Sequence, residues 1–193
     1  MNLSCLSKVI AEYITNETKY DEEKKEIIEY AIETLLLTIF GFILILLVSS
    51  FLNALVPAVI AAIFGGVLRK VSGGAHFNSP MKCLTFGAIT YSLIGVIANK
   101  LLELNISNSI LILILFLSLF IVLMFAPVDS DAKPIHSTIL KKKLKISSSL
   151  VVILAIILVF INNLEIFEIS MTLGIFYQTI TLLPFFNIRR CKT

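Results

Sequence analysis

The stretch Ile110-LILILFLSLFIVLMF-Ala126 carries no charged residue and only one hydroxyl, Ser118. At a rise of about 1.5 Å per residue it approaches the roughly 20 residues that a straight bilayer crossing needs. A helix apolar on every side belongs in lipid or in the centre of a large core. The rest of the chain chooses lipid. Five more apolar stretches flank this one: Leu35 to Leu52, Leu55 to Leu68, Leu84 to Ala98, Ile146 to Ile161 and Ile166 to Phe186. The 193 residues are 58% hydrophobic, with mean hydropathy +0.97, against an apolar share of about 45 to 50% in soluble domains. Six membrane spans are therefore expected. The second, third and fifth stretches are short and reach spanning length by recruiting polar flanks or by thinning the bilayer. A re-entrant hairpin built from the second and third stretches is the structural alternative.

Charge in the connections tests the six-span reading independently, because short cytosolic loops retain Lys and Arg. Of the 16 basic residues, all but Lys100 fall before the first stretch, in the 69–83 loop, in the 127–145 loop or after the last stretch. Both termini and these two loops are thus predicted to be cytosolic. A net charge of +3, distributed in this way, orients the chain in a membrane, so nucleic-acid binding is discounted. Cys5, Cys83 and Cys191 form no CxxC motif and no paired framework, and read as free thiols. The first thirty residues carry many charges and no apolar core, so no cleavable signal peptide is expected. Leu3, Leu6, Val9, Ile10, Tyr13 and Ile14 recur at helical spacing opposite Ser4, Ser7, Lys8 and Glu12, which predicts an interfacial amphipathic helix. Asp21, Glu22 and Glu23 then mark the start of a second helix, which runs into the first span.

In the second stretch, Ala58, Ala62 and Gly66 lie four apart, with Ala61 and Gly65 beside them. Small residues at this spacing let helix backbones approach closely in lipid. Packing within the chain is the reading preferred here, and a homodimer seam is the alternative.

Reactive side chains concentrate in one place, Arg69-KVSGGAHFNSPMK-Cys83. On a single continuous helix His76 and Cys83 would stand about 10.5 Å apart along the axis, beyond hydrogen-bonding reach. Pro80 changes that geometry. Proline is favoured at the first helical position, and Ser79 or Asn78 is placed to cap, so a helix is expected to begin there with Cys83 in its first turn. The positive end of the helix dipole, with Lys82 and Arg69, favours the nucleophilic thiolate. Gly73 and Gly74 are expected to leave the preceding loop pliable enough to fold His76 back towards sulfur. A thiolate beside an imidazole is a cysteine-protease arrangement: His accepts the thiol proton and later protonates the leaving amine. Asn78, Ser72 or Asp129 are candidates to orient the ring, and the first-turn amides to form an oxyanion hole. Against this stand the ordinary roles of a small buried thiol and a hydrogen-bonded surface histidine. One His and one Cys do not make a structural zinc site, no metal or other cofactor is called for, and His136 has no companion.

A second charged region runs through Asp129, Asp131 and Lys133 to Lys141, Lys142, Lys143 and Lys145. A cytosolic retention signal touching anionic lipid accounts for the lysines. Docking of an acidic peptide is the functional alternative.

Arg69, Gly74, His76 and Cys83 at these spacings, the loop from Ala126-Pro127 to Lys133-Pro134-Ile135, and Thr181-Leu-Leu-Pro184 together resemble the accessory gene regulator B family over nearly the whole chain. The resemblance implies a quorum-sensing peptide processor that removes the acidic C-terminal part of a small amphipathic propeptide and closes a thiolactone or lactone ring. By position it makes Cys83 the nucleophile, His76 the base, and Arg69 and Gly74 supporting residues. Asn78 and Ser79 as further supporting residues, and Lys133, Lys141, Lys142 and Lys143 as the face for an acidic substrate, rest on the residues alone. The Asp129-Ser-Asp131 segment departs from more basic relatives and argues against a purely cationic docking surface. The expected architecture is an all-α integral membrane protein with a single peptidase domain over 1–193: an interfacial region 1–30, a transmembrane bundle 31–187 and a tail 188–193. A small transporter or permease subunit is the competing function, with His76 and Arg69 lining a path. A signalling scaffold is a third.

Overall fold

A computed structural model describes residues 9–10, 12–13, 22–75, 79–128, 137–161 and 164–186. Six α-helices account for most of them: α1 Glu22–Phe51, α2 Leu55–Ser72, α3 Pro80–Glu103, α4 Asn108–Phe125, α5 Thr138–Ile161 and α6 Glu165–Ile180. A turn of 3-10 helix, Pro184–Phe186, follows. No strand occurs among the described residues, so the all-α expectation holds.

Helices α1 to α5 are each long and apolar enough to cross a membrane. The short second and third stretches do recruit polar flanks: α2 takes in Arg69 and Lys70, and α3 takes in Pro80 to Lys82 and runs on to Glu103. At 18 and 24 residues these are continuous helices of about 27 and 36 Å, not arms of a shallow hairpin. The last stretch is shorter than its hydropathy predicted. Its α-helix ends at Ile180, where backbone bonds tighten to Thr181 N→Gln178 O, Leu182 N→Thr179 O and Leu183 N→Ile180 O. Pro184 explains this ending, because the residue before a proline is driven out of the α region.

The amphipathic N-terminal helix falls mostly outside the described residues. Val9, Ile10, Glu12 and Tyr13 are helical, Val9 and Tyr13 are exposed, and Glu12 meets Lys25 of α1 at 3.6 Å. As predicted, α1 runs without a break from the acidic start into the first span.

Helix α6 is the central post, packing against α2, α3, α4 and α5, while α1 lies outside on α3 with a smaller contact to α2. Small residues make the tight approaches. A Cβ added at Gly174 would strike the backbone of Ala61, and one at Gly65 would come within 2.5 Å of the Tyr91 hydroxyl and 2.8 Å of the Gly174 carbonyl. Gly95 is similarly close to Ala54 and Ala58, at 2.8 Å from backbone atoms of each. Lipid tails are as apolar as leucine, so helix association in a bilayer depends on such close packing. The seam Ala58, Ala61, Ala62 and Gly65 is therefore consumed inside the chain. Phe64 and Phe167 add an edge-to-face contact at 5.6 Å.

The connections divide by end. The 52–54 and 104–107 turns close one end of the bundle. Ser72 and Gly73 at the end of α2, Val128 after α4 and the end of α6 gather at the other, where Val128 N donates to Ser72 O at 2.9 Å and Gln178 reaches Gly73.

Candidate active site

The site grows from the last turn of α2. Arg69 is half-buried, and its guanidinium turns inward. Nη1 donates to Gln178 Oε1 at 3.4 Å, while Nη2 donates to the Ala75 carbonyl at 2.5 Å and lies 3.9 Å from Cys83 Sγ. Cys83 is a free thiol, partly exposed. Pro80 occupies the start of α3 with Ser79 at the N-cap in extended backbone, and Cys83 N donates to Ser79 O at 3.2 Å. The predicted loop-to-helix geometry is therefore present. Ser79 does this through its carbonyl, since its hydroxyl makes no capping bond.

Cys83 thus combines two cationic influences, the amide end of α3 and a guanidinium within 4 Å. The hydroxyls of Tyr91 and Tyr177 also lie within electrostatic reach of both Arg69 and Cys83. Their rings pack edge to face at 5.5 Å, and the Tyr91 hydroxyl stands over Gly65, one turn before Arg69.

The two glycines do not act as expected. Gly73 takes φ +71° and Gly74 φ +138°, conformations that side-chain-bearing residues rarely adopt. Neither is left loose. A Cβ at Gly73 would come within 2.5 Å of Val128 O, and one at Gly74 within 2.6 Å of Thr181 Oγ1 and 3.0 Å of Gln178 Nε2. The loop is clamped where the sequence suggested pliability, because its glycines are needed for left-handed turns and backbone approach. The clamp is Gln178, fully buried, whose Nε2 donates to Gly73 O at 2.7 Å and lies 3.5 Å from Ser72 Oγ.

Of the residues expected to form the site, Arg69, Gly74, Ser79 and Cys83 are brought together. His76 and Asn78 lie outside the described residues, as do Asp129 and Lys133. Ala75, directly before His76, is held by Arg69. Lys141, Lys142 and Lys143 are exposed on the first turns of α5, which packs on α4, α2 and α6 and not on the helix of Cys83. Gln178 and the tyrosine pair escaped the sequence reading, and Thr181 entered it only within the Thr181-Leu-Leu-Pro184 motif of the resemblance, with no contact to the loop foreseen. The available signal was a set of polar side chains in the final span, Glu168, Ser170, Thr172, Gln178 and Thr179, which lipid penalises unless they are shielded or partnered. Among the described residues, no three His, Cys, Asp or Glu side chains converge to hold a metal.

On another face of the first turns of α3, Met81, Lys82, Thr85, Phe86 and Ile89 line an open, mostly apolar groove of about 440 Å³.

These residues lie within a stretch shared with known proteins. No solved structure matches this chain. A Clostridium perfringens strain SM101 protein described as AgrB-like is 34% identical over 197 residues, covering 95% of this chain and 92% of the relative. A second AgrB-like protein, from Clostridium perfringens strain 13, is 32% identical with the same coverage. The accessory gene regulator protein B of Staphylococcus aureus strain MRSA252 is 25% identical over 91% of both chains. With the pattern of the family described as Accessory gene regulator B matching residues 7–182, the chain belongs to that family.

Proposed function

We propose that this protein serves accessory gene regulation as a membrane cysteine endopeptidase that processes a quorum-sensing propeptide, with Cys83 as nucleophile and His76 as base. One observation supports the reading above the others: the Cys83 thiol at the start of α3 stands 3.9 Å from a guanidinium that also fixes the backbone beside His76. Arg69 stabilises the thiolate and anchors the base-bearing loop with one side chain.

In this mechanism His76 takes the thiol proton and the Cys83 sulfur attacks the scissile carbonyl carbon. The tetrahedral oxyanion is stabilised by first-turn amides of α3 or by Arg69. Its collapse breaks the C–N bond, His76 returns the proton to the leaving amine, and the C-terminal peptide departs. A thiol or hydroxyl of the propeptide then attacks the Cys83 thioester, closing a thiolactone or lactone and regenerating the thiol. Thioester exchange changes bonding little, so this second step needs mainly positioning and exclusion of water. The groove along Met81, Phe86 and Ile89 takes the apolar face of the propeptide, with Lys82 at its rim. Lys133, Lys141, Lys142 and Lys143 attract the acidic part.

Reconstitution with the propeptide from an adjacent reading frame, followed by mass analysis, tests the reading. Cys83→Ala and His76→Ala should each abolish both the released tail and the ring. Processing by Cys83→Ala would overturn it.

A further inference from the structure

Arg69 stands in the last turn of α2, where a long cationic side chain ordinarily snorkels outward to water and lipid headgroups. Here it points inward, and two acceptors hold it there. One is the backbone carbonyl of Ala75. The other is Gln178 Oε1, which comes from α6, 109 residues away in sequence. The same amide uses its opposite end on the loop: Nε2 donates to Gly73 O at 2.7 Å and approaches Ser72 Oγ at 3.5 Å. Gly74, with φ +138°, lies so close to this nitrogen that an added Cβ would stand 3.0 Å away.

Building on the peptidase reading above, we infer that Gln178 is the positioning residue of the site: its oxygen steers Arg69 onto Cys83 and its nitrogen fixes the loop that leads to His76. A neutral amide of this length does both. The guanidinium needs an acceptor and the Gly73 carbonyl needs a donor. A carboxylate in this place would set two acceptors against each other at Gly73 and draw the Arg69 charge away from sulfur. An aliphatic side chain would strand a buried carbonyl and release Arg69 to the surface. Gln178 touches neither sulfur nor scissile bond, so its influence travels through Arg69 and the loop. Among the described residues, the charged or titratable groups around Cys83 besides Arg69 are Lys82 and Tyr91 on its own helix and Tyr177 on α6.

The test reads Cys83 directly, with iodoacetamide as probe, on the full chain in lipid vesicles with Cys5 and Cys191 replaced by Ser. Gln178→Glu keeps side-chain volume, and Gln178→Leu removes both bonds. Each should slow Cys83 alkylation at neutral pH about tenfold relative to wild type. Arg69→Met should do the same, and the Arg69→Met, Gln178→Leu double variant should be no slower than either single one. A wild-type alkylation rate in Gln178→Glu, or additive losses in the double variant, would overturn the inference. A variant that alkylates like wild type while Cys83 remains essential for processing sinks only the role of Gln178. Processing without Cys83 sinks the peptidase reading instead.

Discussion

Helices α6 and α1 are both apolar, yet they occupy opposite situations. Helix α6 has 16 residues and touches four other helices. Helix α1 has 30 and rests chiefly on α3. Along α6 nine residues are buried, among them Glu168, Thr172, Gln178 and Thr179, whereas only 6% of the apolar window of α1 is. The difference teaches where a membrane protein can keep polar chemistry. Lipid excludes unpartnered polar groups, so they collect on the helix that neighbours shield, and that helix can be short because protein, not lipid, surrounds it. A long lipid-facing helix has no such capacity.

The comparison breaks most severely at Gly174. Leucine there would drive its side chain into the Ala61 backbone, which cannot rotate aside. Overpacking costs typically about 1 to 3 kcal/mol and more where backbone must move, so Gly174→Leu should fall at or above the upper end. Yield of monodisperse protein and its melting temperature in detergent measure this. An unchanged melting temperature would mean that α2 and α6 do not pack as described.

Next comes the site's own backbone. Gly74→Ala meets both a left-handed φ and the Thr181 hydroxyl, a strain of about 1 to 3 kcal/mol confined to the loop. Propeptide processing should fall by at least tenfold while the fold survives. Adding Thr181→Ala relieves the clash but not the φ, so rescue should be partial. Full rescue would show that crowding alone, and not backbone conformation, selects glycine.

Two adjacent residues sharpen the same contrast within α2. Gly65 is pressed against Tyr91 and Gly174, whereas a Cβ at Gly66 meets nothing within 4 Å. Gly66→Ala should therefore be neutral or stabilising, by up to about 1 kcal/mol from helix propensity. Gly65→Ala should lower the melting temperature. Loss of activity in Gly66→Ala would revive the homodimer seam, since only a second copy would then fill the space.

Much of this organisation was legible in the sequence because it is local. Hydropathy found five helices long enough to cross a membrane and overran the sixth, and Pro80 with Ser79 found the start of α3 and the position of Cys83 within it. The failures are non-local. Gln178 enters the site from over a hundred residues beyond the loop it holds, with Thr181 crowding Gly74 beside it, and no spacing rule connects either contact to the loop. Gly73 and Gly74 were recognised as special, but glycine serves freedom and close approach alike. Only the neighbours, Val128, Gln178 and Thr181, decide between the two.

The smallest effect is expected on the outer helix. Leu47 of α1 is 54% exposed, and its exposed part meets a solvent as apolar as itself. Truncation to alanine exchanges side-chain contact for lipid contact, with no water to penalise the difference. Leu47→Ala should shift stability by less than about 0.5 kcal/mol, visible as an unchanged melting temperature in detergent and unchanged processing in vesicles. The same substitution at the fully buried Ile175 of α6 removes packing on several sides and should cost about 2 to 5 kcal/mol. Comparable losses at both positions would mean that α1 is not peripheral, and that a second copy of the chain covers the face it turns to lipid.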